Sequence, residues 1–474
     1  MKSNLWKTKS IEQLLLESKG QGEKRDLKKV LTTWSLVALG VGGIIGAGLF
    51  SLTGIAAAEH AGPAVMLSFV VAAVACLFSA LCYAEFASMI PVAGSAYTYS
   101  YATFGEFMAW IIGWDLVLEY ALGAATVGVS WSRYFVNLLQ KVGVIFPDAL
   151  AKSPFEGGLI NLPAIFIVCA ISLVLIRGIR GSSKFNNILV VLKVAVVFIF
   201  IVLGWSYINP GNHVPFIPEN QGEFGHFGLS GIAMGAAVVF FAFIGFDAVS
   251  TAAQETVNPQ KSMPRGIIGA LLGCTVLYVL FAYVMTGMVR YDEFLGDASP
   301  VAKAFSVTGY TSVETLLILA IVCGFTSVIL VMLLGQSRVF YSMSKDGLLP
   351  SFFSDIHPRF NTPWKTNLFF MGFVALLTGF VPISDLGHMV SMGTLLAFAL
   401  VSVGIIILRK RHPEIPRKFK TPLVPLVPLL GAAISLALMY SLPVVSWYRL
   451  VIWMAIGFII YFSYSRKHSR LNDR

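Results

Sequence analysis

The chain has 474 residues, of which 57% are hydrophobic and only 12% charged, with a mean hydropathy of +0.78. Soluble domains carry about 25% charged residues, so this composition excludes a water-soluble globular protein and places the chain in a bilayer. The net charge of +10 would suit nucleic acid in a soluble protein, but no segment interleaves basic and aromatic residues in an exposed domain, and a membrane protein gathers such charge in its cytoplasmic loops.

The N-terminal tail, 1–30, is charged throughout and lacks the apolar stretch of a signal peptide, so no cleaved signal is expected. Within it Ile11, Leu14, Leu15 and Leu16 form a weak apolar stripe that reads equally well as an interfacial helix or a frayed tail. One span needs about 20 apolar residues. Apolar windows fall at 31–58, 64–90, 106–139, 161–177, 184–206 and 229–254, then at 265–289, 312–343, 364–381, 386–408, 424–442 and 445–464. With the N-terminus on one side, 27 of the 34 Lys and Arg residues fall on that side, six on the other and Lys193 inside a span. The positive-inside rule then puts both termini, including the tail 465–474, in the cytoplasm and favours an even number of spans, twelve. The longer loops, 141–158, 207–227 and 291–310, are too short to fold as domains. All five cysteines lie in apolar runs without a CxxC pair and read as packing residues.

Two spans are expected to be broken. The first holds five glycines within 40–48, and each Gly costs about 1 kcal/mol relative to Ala inside a helix. A close helix-packing face is the alternative, but glycines at 42, 43, 46 and 48 cover several faces where such a motif needs one. The sixth span carries Gly245 and Asp247 in mid-run, and a charge at that depth costs about 2.5–3.5 kcal/mol on insertion scales. Irregular sites at matching places in spans 1 and 6 are the pattern of a five-plus-five inverted repeat, whose halves have opposite topology because each has an odd number of spans. An unwound segment offers N–H groups to a carboxylate and C=O groups to an ammonium, so a zwitterion fits both ends.

Four segments carry a resemblance: GVGGIIGAGLFSLTG at 40–54, YAEFASMIPVAGSAYTYSYATFGEFMAWIIGWDLVLEY at 83–120, FFAFIGFDAVSTAAQETVNPQKSMPRGI at 240–267 and GQSRVFYSMSKDGLLPSFFSDIHPRFNTP at 335–363. They resemble the amino acid–polyamine–organocation superfamily, and more narrowly the bacterial homologues of the cationic amino acid transporters. The resemblance implies an all-α integral membrane protein of twelve transmembrane helices working by alternating access. Its repeats would be 31–206 and 229–408, with spans 1 and 6 discontinuous and two C-terminal spans in 424–464. It also implies that the amides of Ala47 and Gly48 hold the substrate carboxylate, with Gly46 allowing close approach. Carbonyls of Ile44, Phe241 and Ile244 would take the amino group, and Phe241 would be an aromatic gate. A hydroxyl residue common in the motif is Ala47 here, so backbone donors must carry that contact. Mammalian members have fourteen spans; the shorter plan suits a bacterial inner membrane.

Lys193 sits in the apolar run ILVVLKVAVVFIF, about 13.5 Å along the helix from Lys184. An ionisable group at that depth is a functional candidate by default. The other reading is a structural lysine neutralised by a fixed partner. The resemblance places its ammonium where sodium-coupled relatives hold sodium, near carbonyls of Gly42 or Gly43 and the hydroxyls of Thr326 and Ser327. Because desolvation disfavours a charged lysine, Lys193 is expected to bind and release a proton in the cycle. Glu119 is a second candidate for proton handling or, alternatively, half of an ion pair near a helix end. Asp115, Glu85 and Asp247 are expected to cap or brace helices. No metal-ligand cluster is visible, and no cofactor is expected.

The expected activity is secondary active transport of L-amino acids, proton-coupled and sodium-independent. Exchange and cationic substrates remain alternatives on the same fold, and an amino acid sensor on a transporter scaffold is the alternative from another class. A lipid-modifying enzyme would need converging catalytic groups, and an ATP-driven pump a Walker motif; neither is found. A small accessory subunit is left open. Neutral substrates are favoured because Cys323-Gly324-Phe325-Thr326-Ser327 at the side-chain end has no carboxylate, and Phe325 there would shorten the pocket. Ordinary helix packing is the alternative role for Phe325.

Overall fold

The computed structural model describes residues 6–9, 31–90, 95–178, 182–247, 249–250, 256–297, 299–360 and 362–470. The stripe expected at Ile11, Leu14, Leu15 and Leu16 lies outside the described residues. Among those described, the chain is helical, and its one β contact is a parallel bridge between Leu31 and Thr256. The helices are α1 (Thr33–Ile44), α2 (Val65–Met89), α3 (Ser95–Thr103), α4 (Glu106–Lys141), α5 (Leu162–Arg177), α6 (Ser182–Gly204), α7 (Gly228–Val239) and α8 (Pro259–Met288). After them come α9 (Pro300–Ser306), α10 (Thr311–Lys345), α11 (Trp364–Phe380), α12 (Ile383–Arg411), α13 (Leu426–Ser441) and α14 (Val444–Ile460). Between α1 and α2, residues 48–61 form a further half-helix of alternating π and α turns. Helices occupy every expected apolar window. The short α3 and α9 were not anticipated, since neither has an apolar run long enough to stand out.

Local chemistry sets several of the ends. The Thr32 hydroxyl accepts from the Ser35 amide at the start of α1, and Asn161 accepts from the Ala164 amide at the start of α5. Proline occupies the first turn of α5 and of α8, where its missing N–H costs nothing. Seven helical stretches among the described residues are long and apolar enough to cross a membrane, and four shorter apolar helices accompany them. Their outer faces keep large apolar side chains uncovered: Val71 and Val74 on α2, Val191 and Val202 on α6, Val451 and Ile452 on α14. A surface of that kind is stable only against lipid. The protein is a multi-pass membrane protein.

Burial sorts the helices by layer. α4 lies at the centre and packs on α10, α12 and α5, whereas α14 lies at the rim and is mostly uncovered. Small residues allow the central approach: Gly123 lies against Met332, and Gly335 against the Tyr120 ring. The second tight bundle is α8 with α2 and α1.

Polar groups brace the end of the bundle where α2 finishes and α12 runs out. Glu85 is fully buried. It accepts from Arg409 Nε at 2.9 Å, Arg409 Nη2 at 2.7 Å and the Thr421 amide at 2.7 Å, with Arg417 Nε at 3.4 Å. Nearby, Asp346 accepts from Lys9 at 2.7 Å and from the Tyr97 hydroxyl at 2.6 Å. Breaking a buried ion pair by removing one partner costs about 3–5 kcal/mol. Glu85→Ala is therefore expected to lower the thermal unfolding midpoint in detergent far more than Lys152→Ala, whose partner Asp148 is exposed. Equal shifts for the two variants would refute this account.

Candidate functional site

The first span is interrupted. Helix α1 ends at Ile44, and Ile45 is extended, with φ −69° and ψ 109°. The chain turns at Gly46, whose carbonyl accepts from the amides of Leu49 and Phe50, both at 3.2 Å. The amides of Ala47 and Gly48 stand ahead of that first turn, where an N–H has no carbonyl of its own helix to reach. The sixth span is interrupted at the matching place. α7 tightens into a 3₁₀ turn over Phe240–Phe243, Ile244 is extended at ψ 137°, and Gly245 takes φ +116°, which a side chain would strain. Asp247 accepts from the Gly245 amide at 3.2 Å and from the Tyr120 hydroxyl at 3.3 Å, so it braces the break, as expected of it.

The two breaks lie against each other. A Cβ on Gly48 would fall 2.2 Å from the Ala242 Cα, and one on Gly245 would fall 2.9 Å from the Gly43 carbonyl. Only hydrogen atoms fit there. Tyr278 of α8 joins the breaks: its hydroxyl lies 2.9 Å from the carbonyl oxygens of both Ile44 and Ala242, and its ring is buried against Phe69 and Phe243. The sequence reading missed this residue, because a tyrosine in an apolar run looks like ordinary packing.

Lys193, on α6, is buried, and its Nζ donates to the Gly42 carbonyl at 2.9 Å. Its methylene stem lies against Gly324 on α10. The ammonium thus sits between the end of α1 and α10. The hydroxyls of Thr326 and Ser327 do not reach it. Thr326 donates to the Val322 carbonyl and accepts from Trp131 Nε1 at 3.1 Å, and Ser327 donates to the Gly324 carbonyl at 2.8 Å. Both are turned into their own helix, a matter of register that spacing alone leaves undetermined.

Glu119 and Asp115 lie one turn apart on α4, both buried, and among the described residues none of their four carboxyl oxygens has a partner within hydrogen-bond geometry. Glu119 is in no ion pair among the described residues, which removes the ion-pair reading. Asp115, expected to cap or brace a helix, instead faces Gly393 of α12 without a donor. The Ser51 hydroxyl, one turn beyond Ala47, is likewise buried without a partner.

Phe241 is buried, and its carbonyl accepts from the Ile244 amide at 3.2 Å. Phe325 is fully buried, with its ring edge-on to Phe50 at 6.0 Å and to Tyr134 at 5.6 Å. The Tyr134 hydroxyl donates to the Phe50 carbonyl. A cavity of about 560 Å³ opens at the far end of the same elements, lined by Ile55 and Glu59 of the half-helix and by Arg133 and Asn137 of α4. Phe50, Tyr134 and Phe325 do not line it; they pack against one another beside it.

Residues 31–463 match the sequence profile of the amino acid permease family. The chain belongs to that family. It is thereby a member of the amino acid–polyamine–organocation superfamily and a transport protein, not an enzyme. Two Bacillus subtilis relatives are similar over their whole length. The branched-chain amino acid permease BcaP is 47% identical over 477 residues, covering 100% of each chain, and a methylthioribose transporter is 45% identical over 473 residues, covering 99% of this chain and 100% of its own. The vacuolar cationic amino acid transporter 4 of Arabidopsis thaliana is 39% identical over 401 residues, 82% of this chain and 64% of its own.

The packing of the breaks separates two neighbouring glycines. A Cβ on Gly46 would meet Val328 at an ordinary 3.5 Å. Gly46→Ala is expected to fold normally, whereas Gly48→Ala must displace backbone at a cost of about 3 kcal/mol, visible as a lower unfolding midpoint. Tyr278→Phe removes the one proton that the buried carbonyls of Ile44 and Ala242 share and should cost about 1–3 kcal/mol; an unchanged midpoint would show that its hydroxyl bonds neither.

Proposed function

We propose that the chain carries L-amino acids across a bacterial cytoplasmic membrane by alternating access, coupled to protons and independent of sodium. The observation that carries the reading is the Lys193 ammonium on the Gly42 carbonyl, beside a broken helix. A fixed cation there supplies the charge that a sodium ion would bring. In this reading the architecture is twelve spans, with inverted repeats 31–206 and 229–408, two further spans in 424–464, and the tails 1–30 and 465–474 in the cytoplasm. The substrate carboxylate meets the Ala47 and Gly48 amides, and its ammonium meets carbonyls of Ile44, Phe241 and Ile244. Ile44 and Phe241 already accept one bond each, but a carbonyl has two lone pairs. Lys193 gives up its proton when α1 moves away, and Glu119, buried without a donor, is the second proton carrier.

The family match and the branched-chain permease support an amino acid substrate. Neutral side chains are favoured because Phe325 and its aromatic neighbours offer a guanidinium no carboxylate. The methylthioribose transporter supports a second reading, since it is nearly as similar. Methylthioribose has neither ammonium nor carboxylate, so the readings separate on those groups.

In proteoliposomes, labelled leucine uptake is expected to be inhibited by leucine and alanine and far less by arginine, N-acetyl-leucine, leucinamide or methylthioribose. Inhibition by methylthioribose alone would favour the second reading, and strong inhibition by leucinamide would remove the backbone-dipole account. Replacing sodium with choline is expected to change nothing. Uptake should follow an imposed inward proton gradient in the wild type, and Lys193→Ala should lose that response while still binding substrate. The same dependence on external pH in both proteins would exclude Lys193 from coupling.

A further inference from the structure

A second cavity, also about 560 Å³, lies away from the helix breaks, between the first turns of α8 and the segment after α12. Lys261 and Arg265 stand one helical turn apart on its rim, and Lys418 faces them from the loop. Its floor is Pro264, Ile268 and Phe419. Among the described residues no carboxylate lines it, and none of the three cations, all exposed, has an ion-pair partner. Other cations at the same end are engaged: Arg409 and Arg417 share Glu85, Lys9 holds Asp346, and Lys365 holds Asp355.

The floor continues into the membrane-facing side of α8. At helical spacing below Ile268 come Leu272, Val276 and Leu280, which are 50%, 60% and 36% exposed. A phosphate from solution would gain nothing from such a stripe. A molecule with an anionic head and a hydrocarbon tail would use both parts. We propose that this pocket binds an anionic phospholipid, with its headgroup phosphate between Lys261, Arg265 and Lys418 and an acyl chain along Leu272 and Val276. Arg265 offers a planar pair of donors to the phosphate oxygens, while the lysines supply compact positive charge. The adjoining face of the same turns receives α1, with Gly266 against Leu36 and Gly269, which also lines the pocket, against Val37. The lipid therefore sits beside the surface on which the first half of the broken span rests.

The test is native mass spectrometry of the purified full-length chain with added phosphatidylglycerol or phosphatidylcholine of the same acyl composition. The wild type is expected to retain phosphatidylglycerol in preference. Each cation near an anionic surface contributes about fivefold, so K261Q/R265Q/K418Q should weaken phosphatidylglycerol retention by about 100-fold and leave phosphatidylcholine unchanged. The charge-keeping K261R/K418R should behave as wild type. If the glutamine triple fails to fold, Lys418→Gln alone should show about fivefold. Equal retention of the two lipids, or no loss in the glutamine variants, would overturn the proposal. Displacement of phosphatidylglycerol by millimolar inorganic phosphate would overturn the lipid as the source of the anion.

Discussion

A hydrocarbon interior has no water to offer a backbone carbonyl, so any turn of helix undone in mid-span must find its partners within the protein. Much of the central architecture follows from that constraint. Lys193 reaches across to the Gly42 carbonyl, Tyr278 reaches the carbonyls of Ile44 and Ala242, and Asp247 takes the Gly245 amide. Where no side chain is available, the breaks lean on each other. The missing Cβ atoms at Gly48 and Gly245 let backbone approach backbone more closely than any other residue would permit. One of the carbonyls that hold the interruption together, that of Ile44, is also one that the proposed zwitterion site would use.

Similarity over the whole chain says little about which solute is carried. A branched-chain amino acid permease and a methylthioribose transporter resemble this chain to nearly the same degree, each over its full length. On the proposed reading, selectivity would rest on a few side chains near the breaks, such as Ser51, Phe241 and Phe325, whose surroundings differ. The Ser51 hydroxyl has no hydrogen-bond partner among the described residues, Phe241 abuts the second break, and Phe325 is locked among rings.

Much of this was legible in the sequence, for reasons that differ by residue. Glycines 42, 43, 46 and 48 announce a break because their effect on a helix is local. Lys193 stands out because an amine in an apolar run is costly wherever the helix points. Thr326 and Ser327 were misplaced because a hydroxyl on a helix can always turn back onto its own carbonyls. Asp115 was misread because its surroundings come from α12, nearly three hundred residues away. Tyr278 was invisible, since only the fold brings its hydroxyl to two carbonyls that are themselves about 200 residues apart in the chain.

Tyr278 has one proton and two acceptors at equal distance. A phenol donates to one of them at a time, so the arrangement is degenerate: moving the Ile44 side away costs no hydrogen bond, because the proton settles on Ala242. In the proposed site, the carbonyl released is one that would take the substrate ammonium. An arriving ammonium can therefore take over Ile44 without stranding the tyrosine. Rearrangement at this point exchanges partners within a conserved number of bonds, which keeps a moving part in a dry interior from becoming trapped in either position.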